Sequence, residues 1–147
     1  MNQHDNNLLN IAIAKAATAH SDQVDKAGEP YILHPLRVML SLSRNQDRIC
    51  AVLHDIIEDT DVTIEELKNL GFPEDILEAI MLLTKQEGES YEDFITRLLP
   101  NPIACRVKLA DLNDNMNLSR ITSPDEKDLE RIKKYEAAKS RILQSNY

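Results

Sequence analysis

The chain has 147 residues, with 17 Lys and Arg against 25 Asp and Glu, a net charge of −8, 42% apolar residues and no tryptophan. This is the size of one ordinary domain, and apolar residues recur along nearly all of it, which excludes a long disordered tail. No run of 18 apolar residues and no apolar leader occur, so no membrane span and no secretory signal are expected, and the acidic balance argues against bulk binding to nucleic acid.

Three glycines are too few for a β-protein built on tight turns, and helical periodicity recurs instead. A first helix is expected over residues 6–20, with Leu8, Leu9, Ile11, Ala12 and Ala16 facing inward. A non-helical stretch from Ser21 to His34 holds Gly28 and Pro30, and Pro35 opens a short second helix. A third runs from Asp47 to Asp59. Thr63 and Glu66 form a capping box for a fourth, and Pro73 suits the first turn of a fifth. Ser90 caps a sixth that ends at Pro100, and Asn101-Pro102 starts a seventh reaching Met116. Ser123-Pro124-Asp125-Glu126 starts the last, as a cap, a proline and then first-turn acid. The expectation is a single compact all-α domain over 1–147, a bundle of about eight helices. Cys50 and Cys105 lie in apolar stretches and read as reduced core thiols of a cytoplasmic protein.

The third helix carries the chemistry. Ile49, Val52, Leu53, Ile56 and Ile57 follow one apolar face, and Cys50 and Ala51 on the other side are not polar either. His54, Asp55, Glu58 and Asp59 then crowd within one and a half turns, with His54 stacked on Glu58 and Asp55 on Asp59. Two readings are open on this helix alone: a divalent metal joins the acids, or the acids form a solvated helix end. His34 before Pro35 is either aimed into a site or a satisfied structural histidine. Asp111 follows Val107, Leu109 and Ala110 on a largely apolar helix, so it needs a buried partner. Asn115, one turn on, caps the helix or supports Asp111.

His34, then His54-Asp55, then Asp111 follow the H…HD…D order of the HD-domain phosphohydrolases. Residues 28–35 (Gly-Glu-Pro-Tyr-Ile-Leu-His-Pro), residues 53–60, and Val107 to Asp111 with Asn115-Met116 together resemble the hydrolase domain of RelA/SpoT proteins, which cleave ppGpp and pppGpp. The resemblance covers roughly residues 5–143. With no room for a synthetase domain, the chain resembles the stand-alone small alarmone hydrolases.

The resemblance implies an HD-type bundle and a 3′-pyrophosphohydrolase acting on a small nucleotide, with one divalent metal, normally Mn²⁺, on His34, His54, Asp55 and Asp111. Glu58 and Asp59 match the pair that positions or activates the attacking water, Glu58 as general base. Asn115 matches an asparagine lining the nucleotide pocket, and Lys26 matches a retained lysine. Arg131 and Tyr135 align with a basic residue and a tyrosine that reach the phosphates. Read from the residues alone, Arg131 is equally a surface charge and Tyr135 a half-buried core ring.

Two departures stand out. Asp25 replaces an arginine that helps bind the base, and an acid there is expected to weaken stacking and repel a phosphate. Leu112-Asn113-Asp114-Asn115 occupies a stretch where the family commonly has a basic residue, which is expected to remove further positive charge. These departures keep two alternatives in view: a phosphatase or pyrophosphatase acting on another phosphorylated nucleotide such as NADPH, and a metal-binding nucleotide sensor without turnover. Whether Lys85, in the loop after the fifth helix, reaches a phosphate is a question for the structure. Most of the acid, including Glu126 and Asp128, reads as helix first turns and solvated faces.

Overall fold

The structure, a computed structural model, describes residues 3–117 and 123–146. Those residues form nine helical segments and no sheet: α1 (Gln3–Ala19), α2 (Leu33–Leu40), α3 (Asn45–Leu53), α4 (Ile56–Asp59), α5 (Ile64–Asn69), α6 (Glu74–Leu82), α7 (Tyr91–Leu98), α8 (Pro102–Asn115) and α9 (Glu126–Asn146). The all-α expectation holds. None of these helices is long and apolar enough to cross a membrane.

The caps explain most boundaries. The Thr63 hydroxyl accepts from the Glu66 N–H, Ser90 from Asp93, and Asn101 from Ala104 ahead of Pro102 at the first helical position. Pro73 stands one residue before α6 rather than in its first turn. Helix α2 begins at Leu33, ahead of Pro35, so His34 is already helical; a proline in the first turn removes no helical hydrogen bond. The start of α9 corrects the expected cap. Asp125, not Ser123, precedes the helix, and it exchanges hydrogen bonds with Asp128: Asp128 N–H to Asp125 Oδ1 at 2.9 Å and Asp125 N–H to Asp128 Oδ2 at 3.0 Å.

Helix α3 is the centre of the bundle. Cys50, Ala51, Val52 and Leu53 are fully buried because α1, α2, α6 and α8 pack around it. An element apolar on all sides belongs inside, and burying it organises the rest. Cys50 and Cys105 are buried, their thiols donating to backbone carbonyls, Cys50 to Ile76 at 3.7 Å and Cys105 to Leu99 at 3.3 Å. At the N-terminal end of α3, buried Asp47 accepts a forked pair of bonds from Arg106 of α8, at 2.7 and 3.1 Å. A carboxylate this deep is tolerated because the guanidinium satisfies both oxygens.

The expected helix from Asp47 to Asp59 is broken after Leu53. The His54 imidazole Nδ1–H donates to the Ala51 carbonyl at 2.5 Å. That occupies the oxygen that the Asp55 N–H would use in an unbroken helix. Asp55 then lies at φ −101°, ψ −1° and serves as the cap of α4, in the sparsely populated bridge region where active-site residues recur.

Candidate metal centre and its pocket

Three segments distant in sequence meet where α3 breaks. His34 Nε2 lies 2.9 Å and His54 Nε2 3.1 Å from the same Asp111 oxygen, Oδ1. Asp55 Oδ2 is 3.1 Å from His54 Nε2 and 3.8 Å from His34 Nε2. One atom each from His34, His54 and Asp111 fall within 4.8 Å of one another, and all three residues are buried. The four residues expected as ligands are thus brought together.

The surrounding bonds settle which nitrogen faces inward. A carbonyl can only accept, so the bond to Ala51 requires a proton on His54 Nδ1 and leaves Nε2 as the atom facing the carboxylates. His34 is held the same way: its Nδ1 meets Asp114 Oδ2 at 2.6 Å, and Arg37 grips that carboxylate with Nε and Nη2 at 2.8 and 3.1 Å. Two imidazole nitrogens aimed at carboxylate oxygens leave acceptor facing acceptor unless a cation lies between them. A proton or a divalent metal satisfies that requirement, and imidazole with carboxylate is a suitable donor set for Mn, Fe or Zn.

The titration shifts have the same cause. Burial works to lower the His34 pKa, but bonds to Asp111 and Asp114 outweigh it and push it up to about 9. Burial likewise opposes charge on His54, and the carboxylates of Asp55 and Asp111 overcome it, so its pKa is raised. Asp111 is buried, yet Lys108, with Nζ 2.9 Å from Oδ2, and the two histidines hold its pKa well below the usual range.

The expected acids lie beside this centre in a different arrangement from a continuous helix. Glu58 is not stacked on His54: its Oε1 accepts the Lys85 backbone N–H at 3.1 Å. Partial burial, then repulsion from Asp59 and Asp55, raises its pKa. Burial and Asp55 raise that of Asp59. Tyr31 bridges the group, its hydroxyl donating to Asp55 Oδ2 and lying 3.5 Å from Asp59 Oδ2. Gln23 anchors the end of α4 through a 2.9 Å bond to the Asp59 carbonyl, and buried His20 holds Gln23.

Against the centre opens a pocket of about 340 Å³ whose lining includes Lys26, His34, Asn115, Arg131 and Tyr135. All four residues expected at the substrate therefore share one cavity. Asn115 also donates to Asp111 Oδ1 at 3.1 Å, and the Tyr135 ring packs on Tyr91, so the pocket role and the supporting role coincide in each. Lys85 contributes its backbone, through Glu58.

Three acids singled out by charge have defined partners, one of them, Asp25, on the pocket lining, and one expectation, that Asp128 is solvated, is corrected. Asp25 Oδ1 accepts the N–H groups of Ala27 and Glu29, at 2.8 and 3.0 Å, so its carboxylate is engaged by the turn that places Gly28 at φ 83°. Asp114 is committed to His34 and Arg37, which hold its pKa at about 2 against the effect of burial. It holds the His34 ring in place. Asp128 is buried, not solvated. Sequence reasoning missed Tyr31, Arg37 and Lys108 as supporting groups. The available signal was spacing: Tyr31 and Arg37 stand three residues either side of His34, and Lys108 three before Asp111.

No family model matches the chain. It is 36% identical over 113 residues to a guanosine-3′,5′-bis(diphosphate) 3′-pyrophosphohydrolase of Aquifex aeolicus, across 69% of this chain and 16% of that protein. It is 45% identical over 87 residues to a probable enzyme of the same name from Mycoplasma genitalium, across 56% of this chain and 12% of that one. To the bifunctional (p)ppGpp synthase/hydrolase SpoT of Escherichia coli it is 28% identical over 134 residues, covering 81% and 19%. The chain therefore spans less than a fifth of the length of these curated relatives. Among solved structures, a metazoan ortholog of SpoT that hydrolyses ppGpp superposes with a TM-score of 0.72 at 22% identity, over 94% of this chain and 84% of that one.

Proposed function

The chain is a RelA/SpoT-like HD domain, and from that premise we propose that it is a Mn²⁺-dependent 3′-pyrophosphohydrolase of ppGpp and pppGpp, acting in the cytoplasm. One water is consumed per nucleotide. Its oxygen bonds to the phosphorus next to the 3′-oxygen, the bond between that phosphorus and the 3′-oxygen breaks, and pyrophosphate leaves with GDP or GTP as the other product. The observation that carries this reading is the convergence of His34, His54, Asp55 and Asp111 beside a pocket of about 340 Å³ that His34 lines.

His34, His54, Asp55 and Asp111 would hold the cation, which supplies Lewis acidity to a water and to a phosphoryl oxygen. The chain's own residues do the rest. Glu58, held by the Lys85 N–H and raised in pKa by burial and neighbouring acid, takes a proton from the attacking water. Tyr31 keeps Asp55 and Asp59 side by side. Lys26, Asn115, Arg131 and Tyr135 orient the nucleotide. The burial of Cys50 and Cys105 in the core supports a reducing compartment.

Glu58→Gln is expected to lower kcat about a hundredfold while the cation still raises the melting temperature. Equal activity in the variant removes Glu58 as the base. The reading as a whole is tested by crossing divalent cations with ppGpp, pppGpp, NADPH and simple nucleotides, measuring pyrophosphate and orthophosphate separately. Cation-dependent release of pyrophosphate from ppGpp is the expected result. NADPH belongs in the panel because position 25 offers no guanidinium to a guanine. If ppGpp ranks among the poorest substrates, the substrate assignment fails. If no phosphate is released from any of them, the chain is a sensor.

A further inference from the structure

The first turn of α9 carries an anion whose placement the reaction does not explain. Asp128 is only 5% exposed, yet two cations converge on one of its oxygens. Lys26 Nζ, from the loop before α2, donates to Oδ1 at 2.8 Å, and Arg131 Nη2 donates to the same atom. Its other oxygen takes the Asp125 N–H at 3.0 Å, and its own N–H bonds Asp125 Oδ1. The carboxylate is therefore pinned at the head of the helix, and the two cations are pinned to it. Lys26, followed by the other ties, holds its pKa at about 2, so it is charged at any working pH.

Exposure differs among the three. Asp128 lines the pocket with its side chain only 5% exposed, while the side chains of Lys26 and Arg131 are 55% and 35% exposed. A lysine has three N–H donors and an arginine five, so each cation keeps further donors for a ligand arriving from the front. Both cations line the nucleotide pocket, and both also line an outer groove with Lys127, Lys134 and one acid, Glu130. They stand at the junction of the two.

We propose that Asp128 is a positioning residue that gathers Lys26 and Arg131 into one preorganised phosphate clamp, joining the loop before α2 to α9 across the pocket mouth and recognising the phosphates at the end of the nucleotide away from the metal centre. Without the carboxylate, two like charges separate and must be reassembled by each incoming ligand, which weakens binding. This deepens the proposed function, since it names the part of the pocket that reads the nucleotide's other phosphates.

The test is titration of the Mn²⁺-loaded chain with guanosine 5′-diphosphate and with guanosine, followed by calorimetry. Asp128→Asn puts an amide N–H against either the cations or the Asp125 N–H. It is expected to raise the Kd for GDP about tenfold, the size of one charge-assisted hydrogen bond, and to change that for guanosine less than twofold. Lys26→Met leaves the α9 cap intact and is expected to act in the same direction. In a Lys26→Met, Arg131→Met background, adding Asp128→Asn should change the GDP affinity less than twofold, because the residue acts through those cations. Tighter GDP binding in Asp128→Asn overturns the proposal, since the carboxylate is then a competitor. Equal weakening of GDP and guanosine overturns it too, since the role is then structural, as do full additivity and absence of GDP binding to the unmodified chain. Turnover of ppGpp is measured separately, so loss of the hydrolase reading and loss of the clamp are told apart.

Discussion

Asp55→Asn is expected to reduce cation-dependent hydrolysis by roughly a thousandfold or more, on the order of 4 kcal/mol of transition-state stabilisation. Asp55 Oδ2 faces both histidine Nε2 atoms and accepts the Tyr31 hydroxyl. The amide either keeps its oxygen on Tyr31 and loses the charge, or turns its NH₂ group toward the histidines and removes the acceptor. A side chain at a helix break leaves the bundle core untouched, so circular dichroism should be unchanged. The sharper readout is thermal. At a hundred times its Kd, a cation stabilises the folded chain by about 2.7 kcal/mol, and the variant should lose that rise in melting temperature together with activity. A variant that keeps both turnover and the cation-induced shift removes Asp55 from the centre.

The metal-free chain is expected to lose stability as pH rises from 6.5 to about 9. His34 has its pKa pushed up to about 9 from the ordinary 6.5, so its folded state holds a proton that the unfolded chain releases. The resulting stability is complete below the unfolded value of 6.5 and is lost as pH climbs through the folded one. The rise corresponds to roughly 3 kcal/mol, or roughly 10 °C in melting temperature for a domain of this size. His54, raised as well, shifts in the same direction. Asp111, held well below the usual range, stays ionised throughout and does not mask the effect. A saturating divalent cation replaces the protons between the nitrogens and the carboxylates, so the loaded chain should show little of this loss. A metal-free melting temperature that is flat or rising between pH 6.5 and 9 would show that no shared proton holds the centre together.

What the sequence carried legibly was local. Thr63, Ser90 and Asn101 cap the helices they introduce, because a cap needs only a side chain and an N–H three residues on. The all-round burial of α3 followed from Cys50 and Ala51 lying opposite an already apolar face. The grouping of His34, His54, Asp55 and Asp111 was legible as an ordered pattern, though not as geometry. The break at His54 was not legible, because it arises when an imidazole captures a backbone carbonyl, and helical periodicity is blind to that choice. Asp25, Asp114 and Asp128 look alike as letters. Their roles as turn former, histidine support and cation anchor depend on partners, and for Asp114 and Asp128 these lie 80 and 102 residues away.

The contacts of Asp111 with His34 and His54 span 77 and 57 residues of chain. Whatever positive species sits among them is therefore a removable cross-link between one residue from each third of the molecule. Closing loops of that length costs conformational entropy, and an ion that holds them closed acts mainly on escape from the native state. On the proposed reading, resistance of the chain to proteolysis should rise with the supply of a divalent ion, a readout independent of turnover.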